Sequence, residues 1–318
     1  PRPYADERIR PGAGGILTNS PLDAIPEEGA HPLLLYNHGY SAFCEDNTIQ
    51  CEELASHGYL ILCIGHPGEG RYKLPDGRVL LLDDDLMAAF EADAGKFGKV
   101  FVPYTAWLRG EGKTASPKEH AARYQEILET QPGLVTPLER WAADSLAALR
   151  LFSDDPHWGQ LVAREKIRAL GMSYGGAAAL QLAIVSDDIK ACADLDGFFY
   201  SPQWRTPIPK PVLLMQSEGK SVAGLLTYPY LNAQKDAYLI AFRNSMHMNF
   251  TDCNETLSDS MGEGGFRLLG KIDPARTVAL LNTLLVSFFN RYLRGDSSAI
   301  INKKMLGNDG TLLAKCEL

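Results

Sequence analysis

The sequence predicts an α/β protein built on a mostly parallel, doubly wound sheet. Short β-rich runs alternate with helical patterns along the chain, the arrangement that places helices on both faces of a parallel sheet. The runs are almost continuously apolar, as strands covered on both faces must be. With 318 residues, 45% of them apolar, the chain is long enough to bury one large core, and a single domain spanning 1–318 is expected.

The strands are expected at 32–37 (PLLLYN), 59–64 (YLILCI), 166–172 (KIRALGM), 190–195 (KACADL), 211–216 (PVLLMQ) and 237–242 (AYLIAF). Helices are expected between them at 46–57, 137–153, 174–186 and 224–235. Two helix starts, Ser116-Pro117-Lys118-Glu119 and Thr136-Pro137-Leu138-Glu139, combine a capping hydroxyl, a first-turn proline and a glutamate three residues on. After the second, Leu138, Trp141, Ala142, Leu146, Leu149 and Phe152 form one stripe that should pack on the sheet. The last helix should start at Pro274 behind Asp273 and stop at Gly295, with Val278, Leu281, Leu285, Phe288 and Tyr292 facing the core. The stretch from about 67 to 135 is too long for a plain strand-to-helix connection. Its Asp83-Asp84-Asp85 helix start and its aromatics Tyr72, Phe90, Phe97, Phe101, Tyr104 and Trp107 read as a cap insertion over a site. The other reading is a surface insertion with a small core of its own.

Composition excludes several partners. The net charge is −8 with no basic block, which argues against nucleic acid. No apolar run approaches the ~20 residues that span a bilayer. The chain has neither an initiator Met nor a signal-like start, so Pro1 is not expected to be where translation begins, and the compartment and oligomeric state stay open. The six cysteines lack a C-x-x-C pair, and no His/Cys/carboxylate spacing suggests a metal. Cys63 and Cys192 fall in expected core strands and read as buried thiols; a Cys44–Cys51 bridge is permitted but not favoured. Neither metal nor cofactor is expected.

The chemistry centres on ALGMSYGGAAAL, residues 169–180. Gly171-Met172-Ser173-Tyr174-Gly175 fits G-x-S-x-G, in which a serine sits on a sharp strand-to-helix turn with its oxygen lifted above the sheet. A serine needs a base, and the base needs an acid to orient it. In this strand order the partners should follow the serine, acid first and histidine last. His247 is the one histidine after Ser173. It follows strand 237–242, at the sheet edge where such folds bind ligands. For the acid, Asp196 and Glu218 both end strands on that edge, and spacing does not choose between them. An oxyanion needs two N–H donors, one after the nucleophile and one after strand 32–37. Tyr174 supplies the first, and Tyr40, behind the turning Gly39 in YNHGYSAF, supplies the second.

At these residues the chain resembles the platelet-activating-factor acetylhydrolase family of α/β-hydrolases, the plasma type and its cytosolic and bacterial relatives. The similar stretches are PLLLYNHGYSAF, ELASHGYLILCIGHPG, REKIRALGMSYGGAAAL, KACADLDGFF and MHMNF, in order within residues 19–294. The resemblance implies the α/β-hydrolase fold, with Ser173 as nucleophile, His247 as base and the Tyr40 and Tyr174 amides as the oxyanion hole. It also implies that the acid lies on the strand after the nucleophile helix, which selects Asp196 over Glu218. The implied substrate is a small or lipid ester with a short or oxidised acyl chain, phospholipid sn-2 esters included. A general esterase or amide hydrolase, or a binding protein on this fold, are the alternatives. The sequence departs from the family at Met172, where a histidine is usual, and at Gly197-Phe198, where a bulky aromatic directly follows the acid region. Only about thirty residues precede strand 32–37, too few for the family's opening β-hairpin, and truncation is one reading of that loss. These departures bear on the phospholipid substrate more than on hydrolysis.

Overall fold

The computed structural model describes residues 2–218, 224–256, 268–299 and 301–316. In chain order its elements are β1 (His31–Asn37), α1 (Thr48–Ser56), β2 (Leu60–Ile64), β3 (Tyr72–Lys73), β4 (Val79–Leu80), α2 (Asp84–Ala94), α3 (Phe97–Arg109), α4 (Pro117–Glu129), α5 (Pro132–Val135) and α6 (Pro137–Asp154). These are followed by β5 (Val162–Met172), α7 (Tyr174–Val185), β6 (Ile189–Leu195), β7 (Val212–Ser217), α8 (Thr227–Asn232), β8 (Ala237–Phe242), α9 (Cys253–Thr256), α10 (Pro274–Arg294), α11 (Lys303–Leu306) and β9 (Gly310–Lys315).

The main sheet runs β2-β1-β5-β6-β7-β8-β9, with every pair parallel except β8 with β9. Strand alternation feeds two cores. Leu33 and Leu35 of β1 join a core with Trp141 of α6 and the α7 alanines. Leu34 and Tyr36 point the other way, to Leu281, Leu285 and Phe288 of α10. The mostly parallel, two-faced sheet expected from the sequence is therefore the one observed, and all six expected strands are present within a few residues.

Local signals explain most helix ends. Asp83 caps α2 by accepting from the Asp85 and Leu86 amides, and Ser116 forms a capping box with Glu119. Asp273 caps α10 through the Arg276 amide, and Gly295 ends it in the left-handed conformation with φ 68°. Thr136 departs from expectation. It is itself helical and makes no cap, because α5 runs straight into α6 and leaves no extended residue to carry one. The helix expected at 224–235 shortens to Thr227–Asn232.

Three further differences follow from the topology. β9 adds an antiparallel edge that the sequence reading lacks. β3 and β4 pair as a two-residue hairpin, too short to leave a periodic signal. Cys63, expected in the core, is exposed because β2 is an edge strand, and all six cysteines are free thiols, Cys44 and Cys51 among them. Cys192 is buried as expected. Among the described residues, no helix is long and apolar enough to cross a membrane.

Candidate active site

The strand β5 and helix α7 meet at Ser173, whose backbone adopts φ 57° and ψ −120°. A non-glycine residue is strained there. Its neighbours make the turn possible. A Cβ on Gly171 would lie 2.0 Å from the Gly175 carbonyl oxygen, and one on Gly175 would lie 2.0 Å from the Asn37 carbonyl oxygen. One on Gly176 would lie 2.1 Å from Asp194 Oδ1. The glycines thus let the start of α7 press against β1, β5 and β6, and Ala177, Ala178 and Ala179 continue that contact fully buried. The Ser173 amide donates to the Leu195 carbonyl at 2.8 Å and locks the turn to β6.

Three side chains converge above this turn. His247 opens the short helical turn 247–250 beyond β8. Its Nε2 lies 3.0 Å from Ser173 Oγ, and its Nδ1 lies 2.8 Å from Asp196 Oδ2. Asp196 follows β6 with φ 56°. Its other oxygen accepts the Ser217 amide at 2.5 Å, and its own amide donates to the Met215 carbonyl at 2.7 Å. The carboxylate is thus aimed by the ends of both β6 and β7. Glu218, the other carboxylate in contention, follows β7 but has no hydrogen bond to His247 and does not line the cavity. Asp194, two residues before Asp196, is fully buried beneath the turn, with Oδ1 accepting the Gly197 amide at 2.7 Å. Burial raises its carboxyl well above the usual range, and it stands outside the hydrogen-bonded set.

Gly39 brings the loop after β1 against the serine, since a Cβ there would sit 3.4 Å from both Ser173 Cβ and Met172 Sδ. The amides of Tyr40 and Tyr174 donate to no other group among the described residues. Tyr174 is the first residue of α7, so its N–H is one of the orphan donors of a helix start. Two free donors beside a serine oxygen suit an anion forming there.

Sequence reasoning missed what supports this loop. His38 is fully buried, with Nδ1–H donating to the Gly39 carbonyl at 2.6 Å and Nε2 meeting the Tyr72 hydroxyl. His66 reaches Asn37 Oδ1 at 2.9 Å through Nε2 and stacks on Trp141 with ring centroids 3.7 Å apart. Ser145 also donates to Asn37 Oδ1, at 2.9 Å. Burial pushes the His38 imidazole down to about 3, so it is neutral at physiological pH. The legible signal was two histidines just after neighbouring parallel strands, in NHG and GHP.

The site opens into a cavity of about 680 Å³. Phe90 of α2, Phe97 and Phe101 of α3, and Leu134 of α5 line it, so the 67–135 segment contributes directly to its walls. Phe198, one of the departures noted in the sequence, lines it too and packs edge-on to Phe101 at 5.1 Å. Tyr40 stacks on Phe90 at 4.6 Å. Among the described residues, no three His, Cys, Asp or Glu side chains are grouped to hold a metal ion.

A mostly parallel sheet with a serine on a strained turn at its carboxyl edge, and a histidine delivered beyond a later strand, defines an α/β-hydrolase fold. A solved structure of ferulic acid esterase from Streptomyces cinnamoneus shares it, with a TM-score of 0.72 over 98% of this chain and 84% of that chain at 20% identity. Within that class the chain is similar to the platelet-activating-factor acetylhydrolases. Residues 155–307 match the family model for platelet-activating factor acetylhydrolase, isoform II. The platelet-activating factor acetylhydrolase of Cavia porcellus is 25% identical over 93% of this chain and 64% of its own length. That of Gallus gallus is 21% identical over 83% of this chain and 62% of its own. The chain therefore spans somewhat over three fifths of the length of these relatives.

Proposed function

We propose that this chain is a carboxylic-ester hydrolase that works through an acyl-enzyme on Ser173. The observation that carries the proposal is the continuous chain from Ser173 Oγ to His247 Nε2 at 3.0 Å and from His247 Nδ1 to Asp196 Oδ2 at 2.8 Å. Ser173 Oγ attacks the ester carbonyl while its proton passes to His247 Nε2. Asp196 accepts the Nδ1–H bond, fixing the ring and stabilising the imidazolium. The developing oxyanion lies between the Tyr40 and Tyr174 amides. Collapse breaks the ester C–O bond, and His247 returns its proton to the departing alcohol. Water, deprotonated by the same histidine, then releases the acid and restores Ser173.

The aromatic walls support a substrate with a compact apolar acyl chain, short or oxidised, and the relatives' names support acetyl esters; phospholipid sn-2 esters fall within the proposed class. The segment 67–135 serves as the cap of one domain, its aromatics closing the cavity over the serine. Water is thereby kept from the acyl-enzyme except along the path of hydrolysis.

An organophosphonate ester tests the reading. Folded protein should gain one covalent adduct by mass spectrometry, located on Ser173 and absent from Ser173→Ala. Labelling that survives in Ser173→Ala, or no labelling of the folded parent, would overturn the nucleophile and favour a binding protein on a hydrolase fold.

A further inference from the structure

Among the described residues, one cation in the cavity has no acidic counterpart. Arg71 is half-buried and lines the same space as Ser173 and His247. No side-chain hydrogen bond or ion pair engages its guanidinium among the described residues. Its neighbours contrast with it. Lys73 pairs with Asp6 at 3.2 Å, Arg78 with Asp76 at 2.7 Å and Arg140 with Glu69 at 2.5 Å. In a chain with 39 acidic and 31 basic residues, carboxylates are plentiful, so an arginine without an ion pair among the described residues, lining the same cavity as Ser173, is unlike its surroundings.

The backbone fixes where this charge stands. The Arg71 amide donates to the Ala42 carbonyl at 2.9 Å, and the Ser41 amide donates to the Glu69 carbonyl at 2.8 Å. Residues 69–71 therefore run alongside the loop that carries Tyr40, whose amide is the proposed oxyanion donor. A second guanidinium reinforces this end of the cavity. Arg10 lies over the Phe43 ring at 5.9 Å, next in sequence to Ala42, and donates to Thr256 Oγ1 at 2.6 Å. Among the described residues, neither carboxylate that lines the cavity forms an ion pair with Arg71 or Arg10. Asp196 is committed to His247 and the Ser217 amide. Asp46 is buried, bound by the Tyr36 hydroxyl and raised by burial to about 7. The wall that holds Ser173 thus combines aromatic rings with the two guanidinium-bearing residues Arg10 and Arg71.

We infer that Arg71 is a specificity-determining residue that binds an anionic group, a carboxylate or a phosphate, carried by the ester substrate a few bonds from its carbonyl. The guanidinium offers a planar fork of donors that matches either anion. Partial burial and apolar walls strengthen the pairing relative to open water. The inference rests on the esterase reading for its reaction and adds the substrate class.

Two matched pairs of esters separate the sources of the anion. Monomethyl succinate against dimethyl succinate puts the charge on the acyl part; 2-acetoxyethyl phosphate against 2-acetoxyethanol puts it on the alcohol part. In at least one pair the parent enzyme should show kcat/KM about tenfold or more higher for the anionic member, the size expected of a charge-assisted pair. That ratio should fall with added salt, a measurement that needs no variant. It should collapse toward one in Arg71→Gln and be partly restored in Arg71→Lys. A parent that hydrolyses the neutral esters as well as both anionic ones, or a ratio that survives Arg71→Gln, overturns the inference. The dissociation constants of the same esters from Ser173→Ala read the subsite without turnover. If no ester is hydrolysed, the esterase reading fails while affinity still decides whether Arg71 holds the anion.

Discussion

Where β5 gives way to α7, the floor of the cavity is shaped by missing atoms: Gly171, Gly175 and Gly176 leave no room for a Cβ, and the following alanines add one methyl each. Across the cavity, Phe90, Phe97 and Phe101 of the 67–135 segment face it with whole rings. The floor is set by close approach of backbone to backbone at Gly171 and Gly175 and to Asp194 at Gly176, whereas the opposite wall is a packing of side chains that can be exchanged for others of different volume. The chemistry should therefore depend on the floor, and the choice of acyl chain on the aromatic wall.

The largest expected effect tests the hydrogen-bonded chain that stands above this floor. Asp196→Asn should keep the parent's thermal midpoint yet lower turnover by roughly 10⁴, because an amide there favours the wrong imidazole tautomer. Glu218→Gln, made on the same edge but outside the hydrogen-bonded chain, should cost less than about tenfold. Steady-state rates on one ester check both, and the opposite order would move the acid one strand along, to the end of β7.

The next contrast sets the two walls against each other. Gly175→Ala drives a methyl to 2.0 Å from the Asn37 carbonyl oxygen, and overpacking against backbone should cost about 3 kcal/mol or more in urea or thermal unfolding. Phe101→Ala removes a ring at the cavity wall, and its signature should be selectivity: the ratio of butanoyl to acetyl ester turnover should rise by about tenfold. A Phe101→Ala variant with unchanged chain-length preference would mean that the ring is structural and that the wall selects nothing.

The same contrast explains what was legible. The central strands were read closely because their apolar runs are unbroken; 237–242 matches Ala237–Phe242 residue for residue. The elbow was legible because its geometry demands glycine at fixed offsets from the serine, and that requirement is written locally. The choice between Asp196 and Glu218 was not local. It depends on the Ser217 amide of β7 reaching back to Asp196, a contact that no spacing reveals. β9 escaped because an edge strand with Leu312 buried and Leu313 exposed needs little apolar sequence. Arg71 escaped for a related reason: an isolated arginine acquires meaning only when the hairpin carries it alongside the loop after β1.

Ser173 carries one further consequence. With φ 57° and ψ −120°, it occupies a region that glycine enters freely and other residues enter at a cost of about 1–3 kcal/mol. On the proposed mechanism the hydroxyl that attacks the ester is held at the expense of the folded ground state, and the fold would be steadier without it. Ser173→Gly should raise the thermal midpoint while abolishing ester hydrolysis, as calorimetry and a rate assay on the same sample would show.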